Sequence, residues 1–324
     1  MWSQGIERIL PKSIKRLLLN IPKTKLDTIQ EIRLRIYQPL EICLANTSVF
    51  LSNIGITADL SNAYKVTKED CNQLLQAISN HSMYAIEDQL RQGYVTISGG
   101  HRVGIVGKVV ADGGHIRTIQ NISSFNIRVA KQITGVATKL MPELYDSVRK
   151  QPYHTLIVSP PQCGKTTLLR DIIREFSRGN ERLSIPSYKI AVVDERSELA
   201  GSIQGVTQAD LGPRTDVLDA CPKAEGMMLL IRSMSPQIIA VDEIGSKADA
   251  NAVDEVLHAG VSIITTAHAF NLEELMGRPI MNEMIQKKVF DRYIVLSNRP
   301  EVGTITGIYD KNRMKLSMRR AWIG

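Results

Sequence analysis

One stretch constrains this chain more than any other. Thr155-Leu156-Ile157-Val158 is an unbroken apolar run, Ser159-Pro160-Pro161-Gln162-Cys163-Gly164 reads as a tight loop, and Lys165-Thr166-Thr167-Leu168-Leu169 opens a helix. A buried strand, a close loop and a helix starting on Lys-Thr is the layout of a phosphate-binding loop. A triphosphate needs several backbone N–H groups aimed at it, and the helix N-terminus adds free donors and a positive dipole end. The candidate nucleotide-binding residues are therefore Ser159, Pro160, Pro161, Gln162, Cys163, Gly164, Lys165, Thr166 and Thr167. Lys165 is expected to reach the β- and γ-phosphates and the Thr166 hydroxyl to sit on Mg²⁺, so ATP and Mg²⁺ are the expected ligands. The motif departs from the usual pattern at its first position, where Ser159 replaces glycine.

Three further strands end in polar side chains. Ile238-Ile239-Ala240-Val241 runs into Asp242-Glu243, and Ala191-Val192-Val193 runs into Asp194-Glu195-Arg196. Ile263-Ile264-Thr265-Thr266-Ala267 ends at His268. In a parallel sheet the strand C-termini line the ligand crevice. Asp242 is the candidate Mg²⁺ ligand, acting through water, with Thr166 as the other metal-site residue. Glu243 and Glu195 are alternative bases for the attacking water, with Glu243 favoured because it directly follows a Mg²⁺-type Asp. His268 is a candidate sensor of the γ-phosphate; His154 and His258 read as structural. Phosphoryl transfer commonly needs an extra cation from a neighbouring subunit, for which Arg102, Arg117, Arg128 and Arg214 are candidates, with Arg196 beside them. Each also has a plainer reading as a surface or ion-paired arginine.

From residue 153 onward strands and helices alternate, with helices expected over 165–176, 223–234, 248–258 and 272–286 and a terminal hairpin from 303–309 and 314–318. Near-continuous apolar strands in that order predict a parallel sheet covered on both faces. The N-terminal part reads differently. Residues 6–19 form a basic amphipathic segment broken at Pro11, either lying on a membrane or, preferably, packed on its own domain. Residues 31–42 alternate charged and apolar side chains, a half-buried strand pair with an ion-paired outer face. Thr67-Lys68-Glu69-Asp70 is an N-cap signature, with Met83, Ile86 and Leu90 marking a second helix. Strands are expected at 94–98, 101–110, 115–119 and 125–129. The expected organisation is an α/β chain: an N-terminal α+β domain over 1–134, a helical linker over 135–152, and a parallel-sheet P-loop domain over 153–324.

Bulk properties exclude several classes. The 324 residues are 43% hydrophobic, enough for two cores, and the net charge is +7. Such a charge suits nucleic acid, an anionic membrane surface or a nucleotide. Four scattered cysteines without a Cys-x-x-Cys pair argue against zinc and against a disulfide framework. Cys163 inside the loop points to the reducing cytoplasm. No apolar run approaches the roughly 18 residues of a membrane span, and charges at Glu7, Arg8, Lys12, Lys15 and Arg16 argue against a secretory signal.

The motifs together resemble the secretion-ATPase branch of the RecA-like superfamily, the hexameric motors of type II secretion and type IV pili. Residues 31–40 resemble that family's strand-and-proline element, Ser159 to Thr166 its Walker A loop, and 193–198 its acidic box. Residues 230–243 resemble its Walker B region and 260–268 its histidine box. Asp242 stands where the family has Gly before the Walker B glutamate, and Val261 where it has the first box histidine. A narrower similarity covers nearly the whole chain. Gly100-His101-Arg102-Val103-Gly104-Ile105, Asn126-Ile127-Arg128-Val129-Ala130, Val193-Asp194-Glu195-Arg196-Ser197-Glu198 and Gly212-Pro213-Arg214-Thr215-Asp216 are similar to the stage III sporulation protein AA family. That resemblance implies a hexameric ATPase in the mother-cell cytoplasm of endospore formers, docked on membrane proteins of the channel that links mother cell and forespore. The alternative class is a RecA-like nucleic-acid-binding ATPase, disfavoured because aromatics are only 5% and no basic–aromatic stripe is visible. A nucleotide-gated scaffold with little turnover is the third reading, opposed by two intact acidic pairs.

Overall fold

The computed structural model describes residues 4–44, 47–80, 82 and 86–316. Met83 of the second expected N-terminal helix, and the end of the expected 314–318 strand, lie outside them. The chain divides into two units, residues 1–131 with 201–208, and residues 132–200 with 209–324.

The first unit opens with α1 (Gln4–Ile9), α2 (Lys12–Leu19) and α3 (Lys23–Leu26). Pro11 separates the first two, since proline starts a helical turn but cannot continue one. Ile6, Ile9, Leu10, Ile14, Leu17 and Leu18 are all buried in this unit's core. The amphipathic face is thus used up inside its own domain rather than presented to a membrane. The strands are β1 (Glu31–Arg35), β2 (Glu41–Cys43), β3 (Ser48–Ser52), β4 (Gly55–Thr57), β5 (Tyr94–Ile97), β6 (His101–Asp112) and β7 (His115–Arg128), with α4 (Lys68–Ile78) and α5 (Glu87–Gln92) between β4 and β5. They form one sheet in the order β4-β3-β2-β1-β7-β6-β5, antiparallel throughout. Its charged face is ion-paired as expected, Arg33 to Glu31 and Arg35 to Glu41, both at 2.8 Å. Thr67 and Asp70 close a reciprocal capping box at the start of α4. The two strands expected at 115–119 and 125–129 are one. Asn121, at φ 46°, takes up a register shift opposite Val106–Lys108 as a bulge, and the ladder continues past it.

The second unit contains β8 (Tyr145–Asp146), β9 (Gln151–Pro152), β10 (Thr155–Ser159), α6 (Lys165–Arg178), β11 (Ile190–Asp194), β12 (Thr215–Asp219), α7 (Lys223–Met234), β13 (Ile238–Val241), α8 (Lys247–His258), β14 (Ser262–His268), α9 (Leu272–Met276), α10 (Pro279–Gln286), β15 (Arg292–Ser297) and β16 (Thr304–Asp310). Its main sheet runs β12-β11-β13-β14-β10-β15-β16, parallel from β12 to β15, with β16 antiparallel at the edge. Every residue of β10, β11 and β13 is buried. Both faces are covered, and the pleat sends alternate side chains to each layer. Leu156, Val158, Val193, Ile239 and Val241 enter one core, while Ile157, Ile190, Val192 and Ala240 enter the other, beneath α6.

Four features differ from the sequence expectation. The 135–152 stretch is no linker: Ala137, Leu140, Met141 and Leu144 are fully buried in the second unit's core. Pro142 removes an α-helical bond, so the stretch folds as a 3₁₀ turn (Thr138–Glu143) and the small β8–β9 hairpin. The expected helix over 272–286 is two helices, because Pro279 starts a new one. β12 was hidden in a polar sequence. β16 pairs antiparallel with β15, which the expected terminal hairpin did not include; on its other side, among the described residues, Tyr309 bridges Lys315 and the Leu316 N–H donates to the Ile308 carbonyl at 2.8 Å.

Candidate functional site

The parallel register sets the site. Ser159 at the end of β10 lies beside His268 at the end of β14, Val241 lies beside Thr265, and Val193 beside Val241. The polar residues just beyond these strands therefore emerge along one edge of the sheet. The order of the strands reverses around β10, the position where a crevice opens in open α/β sheets.

The loop between β10 and α6 turns through two left-handed residues, Gln162 at φ 60° and Gly164 at φ 86°. The left-handed φ is what asks for glycine at 164, since an ideal Cβ there would make only ordinary contact, 3.4 Å from Gly303 Cα. Ser159 is not left-handed, so its site does not require glycine; its Oγ donates to the Pro160 carbonyl at 2.8 Å. Lys165, the first residue of α6, is 7% exposed. Its ammonium donates to the carbonyls of Ser159 and Pro160, both at 3.0 Å, and lies 2.9 Å from His268 Nδ1. Burial holds its pKa below the usual lysine value, against the pull of Asp242, Cys163 and Glu243. Cys163 is buried, and its thiol contacts the Pro161 carbonyl.

The Thr166 hydroxyl is 3.3 Å from Asp242 Oδ2, which brings the two candidate metal-site residues together. Hard oxygen donors, one hydroxyl and one carboxylate, suit Mg²⁺, which keeps several waters and binds through one or two carboxylates plus substrate phosphates. Among the described residues no group of three or more His, Cys, Asp or Glu side chains is placed to hold a metal. The other Asp242 oxygen accepts from Thr266 Oγ1 at 2.6 Å, and the same hydroxyl accepts the Glu243 N–H at 2.9 Å. Glu243 has a left-handed backbone, φ 48°, and a side chain 40% exposed. Its carboxylate lies 3.5 Å from His268 Nε2 and 3.8 Å from Arg196 Nη1. Lys165, His268 and Glu243 thus form a continuous polar chain.

The second acidic pair is used differently. Asp194 is almost fully buried and accepts the backbone N–H groups of Glu198, Leu199 and Ala200 at 2.8 to 3.0 Å. Burial pushes its pKa up, opposed by those three bonds. Arg170 of α6 holds the same loop from the other side, donating to the carbonyls of Leu199 and Glu198. Glu195 forms an ion pair with Lys223 Nζ at 3.0 Å. Asp194, Glu195, Arg196, Glu198, Lys223, Asp242 and Glu243 line one small cleft. Sequence reasoning missed Thr266, Arg170 and Lys223. Thr266 had a usable signal, a polar side chain near the end of a buried strand; the other two reach the site from helices.

The arginine candidates are dispersed. Arg102 on β6 stacks 4.6 Å above the Tyr94 ring, and Arg128, the last residue of β7, lies 4.0 Å from Glu31. Arg117 is exposed on β7. Arg214 precedes β12, at the end of the sheet away from the phosphate loop, and its guanidinium binds the carbonyl and hydroxyl of Ser187. His154 is structural as expected, its Nδ1 accepting the Ile263 N–H.

A phosphate-type loop on an inner strand of a parallel sheet, faced by acidic strand ends, defines the RecA-like fold of secretion ATPases. Solved structures agree: the Legionella pneumophila ATPase DotB superposes with a TM-score of 0.52 at 16% identity, covering 91% of this chain and 78% of that one. The pilus retraction motor PilT with bound ADP gives 0.53 at 14% identity, covering 84% and 76%. The profile of the family described as "Sporulation stage III, protein AA" matches residues 2–316. Stage III sporulation protein AA of Bacillus subtilis (strain 168) is 46% identical over 312 residues, 96% of both chains. The chain belongs to the sporulation stage III protein AA family.

Proposed function

We propose that this chain is a Mg²⁺-dependent ATPase that works as an oligomeric motor or assembly factor for a membrane channel. The observation that carries the reading is the convergence at one sheet edge of Lys165, the Thr166–Asp242 pair and the His268–Glu243 pair. Lys165 and the amides of the 160–164 loop would hold the phosphates, Thr166 and Asp242 would hold the metal, and His268 would link Lys165 to the base. Bound Mg²⁺ supplies charge neutralisation on the phosphate oxygens. Glu243 takes the proton of the attacking water; its partly exposed carboxylate is open to solvent on the cleft side. Glu195 is the alternative base.

The family supports a sporulation role, and the secretion-ATPase fold supports a ring, with six copies as the proposed number. Membrane proteins of the channel between mother cell and forespore are the proposed partners, with the chain docked peripherally from the mother-cell cytoplasm. Among the described residues no helix is long and apolar enough to cross a membrane. Arg102, Arg117 and Arg128 are the proposed sources of a cation acting in the neighbouring subunit's site; Arg214 is tied to Ser187 and is a weaker choice.

The test is ATP hydrolysis as a function of protein concentration, with molecular mass measured in the same samples and Lys165→Met as control. The expected result is a rate per subunit that rises with oligomerisation and is lost in the variant. Hydrolysis indifferent to Lys165, or its absence with and without lipid, refutes the reading.

A further inference from the structure

Lys223 stands outside the motifs that define the site, yet it touches both acidic pairs. It is the first residue of α7, after Pro222. That end of a helix favours anions, so a cation there is disfavoured unless other groups hold it. Its side chain is only 15% exposed. The ammonium lies 3.0 Å from Glu195 Oε2 and donates to the Glu243 carbonyl oxygen at 2.8 Å. Gly226, almost one turn further along α7, explains how it gets there. An ideal Cβ at 226 would fall 2.6 Å from Val193 Cγ1, so α7 lies directly against β11, the strand that ends in Asp194. Glu243 needs such a partner. Its left-handed backbone is unfavourable for a residue with a side chain and persists only where the surroundings over-determine it. Thr266 holds its N–H and Lys223 holds its carbonyl.

We propose that Lys223 is a positioning residue for hydrolysis: it fixes the Glu243 peptide so that the carboxylate faces the nucleotide, and it occupies Glu195 so that Glu243 alone serves as base. The proposal rests on the ATPase reading above and deepens it by choosing between the two glutamates. The Lys223 ammonium is directed at Glu195 and Glu243 rather than at the phosphate loop, so its effect belongs to turnover rather than to nucleotide affinity. Arginine at 223 has the length and donors to span the same two acceptors.

The experiment compares Lys223→Met and Lys223→Arg with the wild-type full chain for ATP turnover, affinity for a fluorescent ATP analogue, and thermal unfolding. Lys223→Met is expected to lower kcat on the order of 10²-fold, the cost of a small misplacement of a reacting group, with nucleotide affinity within about threefold of wild type. Lys223→Arg is expected to recover most of that loss. On a Glu243→Gln background Lys223→Met is expected to add nothing, since it acts through Glu243. A merely structural lysine would weaken binding, lower the melting temperature and multiply with Glu243→Gln. A Lys223→Met kcat within about twofold of wild type, or losses that multiply, overturns the proposal. Should Lys223→Met fail to fold, Lys223→Gln replaces it under the same criteria. Wild-type turnover abolished by Lys165→Met is required in the same assay. Its absence refutes the ATPase reading and this proposal with it, whereas Lys165-dependent turnover untouched by Lys223 refutes this proposal alone.

Discussion

Replacing Thr266 with valine removes one hydroxyl from the centre of the site and leaves its shape. A threonine hydroxyl carries one proton and two lone pairs. Here the proton goes to Asp242 at 2.6 Å and a lone pair takes the Glu243 N–H at 2.9 Å, in a side chain with no solvent exposure. Valine fills the same volume, so the loss is of hydrogen bonds and not of packing. The bond to the carboxylate contributes about 1.5–3 kcal/mol, and the Glu243 N–H left without a partner costs about 1–3 kcal/mol. The two share one atom and do not add fully, so the expected destabilisation is about 2–4 kcal/mol. For a unit of this size that corresponds to a melting temperature lower by roughly 5–15 °C. Turnover is expected to fall roughly 10²-fold, because both Asp242 and Glu243 lose a contact that fixes them. Thr266→Ser keeps the hydroxyl and should recover most of both losses.

Calorimetry and steady-state ATP hydrolysis on the two variants decide the matter. A valine variant that melts within about 2 °C of wild type and turns over within about threefold refutes the claim that this hydroxyl organises the two carboxylate residues. A lower melting temperature with unchanged kcat would confine Thr266 to a structural bridge and separate it from Glu243.

Two further outcomes concern buried polar groups. Asp194→Asn offers one carbonyl oxygen to three N–H groups that now share two, so at least one bond is strained or lost, at about 1–3 kcal/mol in chemical denaturation; wild-type stability would show that the loop over 198–200 does not depend on it. His101 is buried and its Nδ1 accepts the Ala130 N–H at 2.9 Å, which requires an unprotonated nitrogen. Burial holds its pKa below the ordinary 6.5, so the stability it contributes is complete above that value and lost as pH falls through the lower, folded-state value. Hydrogen exchange at the Ala130 amide, corrected for intrinsic rate, should lose protection on that descent; protection that stays flat from about pH 7 to pH 5 would sink the idea.

The sequence was most legible where local pattern and burial coincide. β10, β11 and β13 carry unbroken apolar runs because both faces of a parallel sheet are covered, and β14 is buried up to its last residue despite its threonines. It was least legible where burial is partial or partners are distant. β12 (Thr215–Asp219) is an edge strand with no fully buried residue, so two aspartates and a threonine leave no strand pattern. Leu140, Leu144 and Val148 have helical spacing, yet the first two are buried in the core and Val148 is 89% exposed. The segment 201–208 looks like any Gly- and Gln-bearing loop of the second unit, but it belongs to the first, where Gln208 accepts the Gly99 N–H. Nothing in its own residues announces a partner about a hundred positions away.

The site divides along the same line. Residues delivered by strand ends were readable because parallel register does the converging: Ser159 beside His268, and Asp242 one step past the Val241–Thr265 pair, are fixed once the strands are recognised. What pattern could not decide was which glutamate is free to act, since Asp194-Glu195 and Asp242-Glu243 are alike as strings. The difference lies in what surrounds them. Asp194 is consumed by three loop amides, whereas Asp242 meets Thr166 and Thr266; Glu195 meets a lysine, whereas Glu243 meets the histidine that touches Lys165. Apart from the amides of residues 198–200, those neighbours come from α6, α7 and β14, elements distant in sequence from the pairs they touch. The proposed assignment of Glu243 as base therefore rests on tertiary packing, and in that proposal Lys223, on the first turn of a helix that Gly226 lets close onto β11, is one of the contacts that set the two glutamates apart.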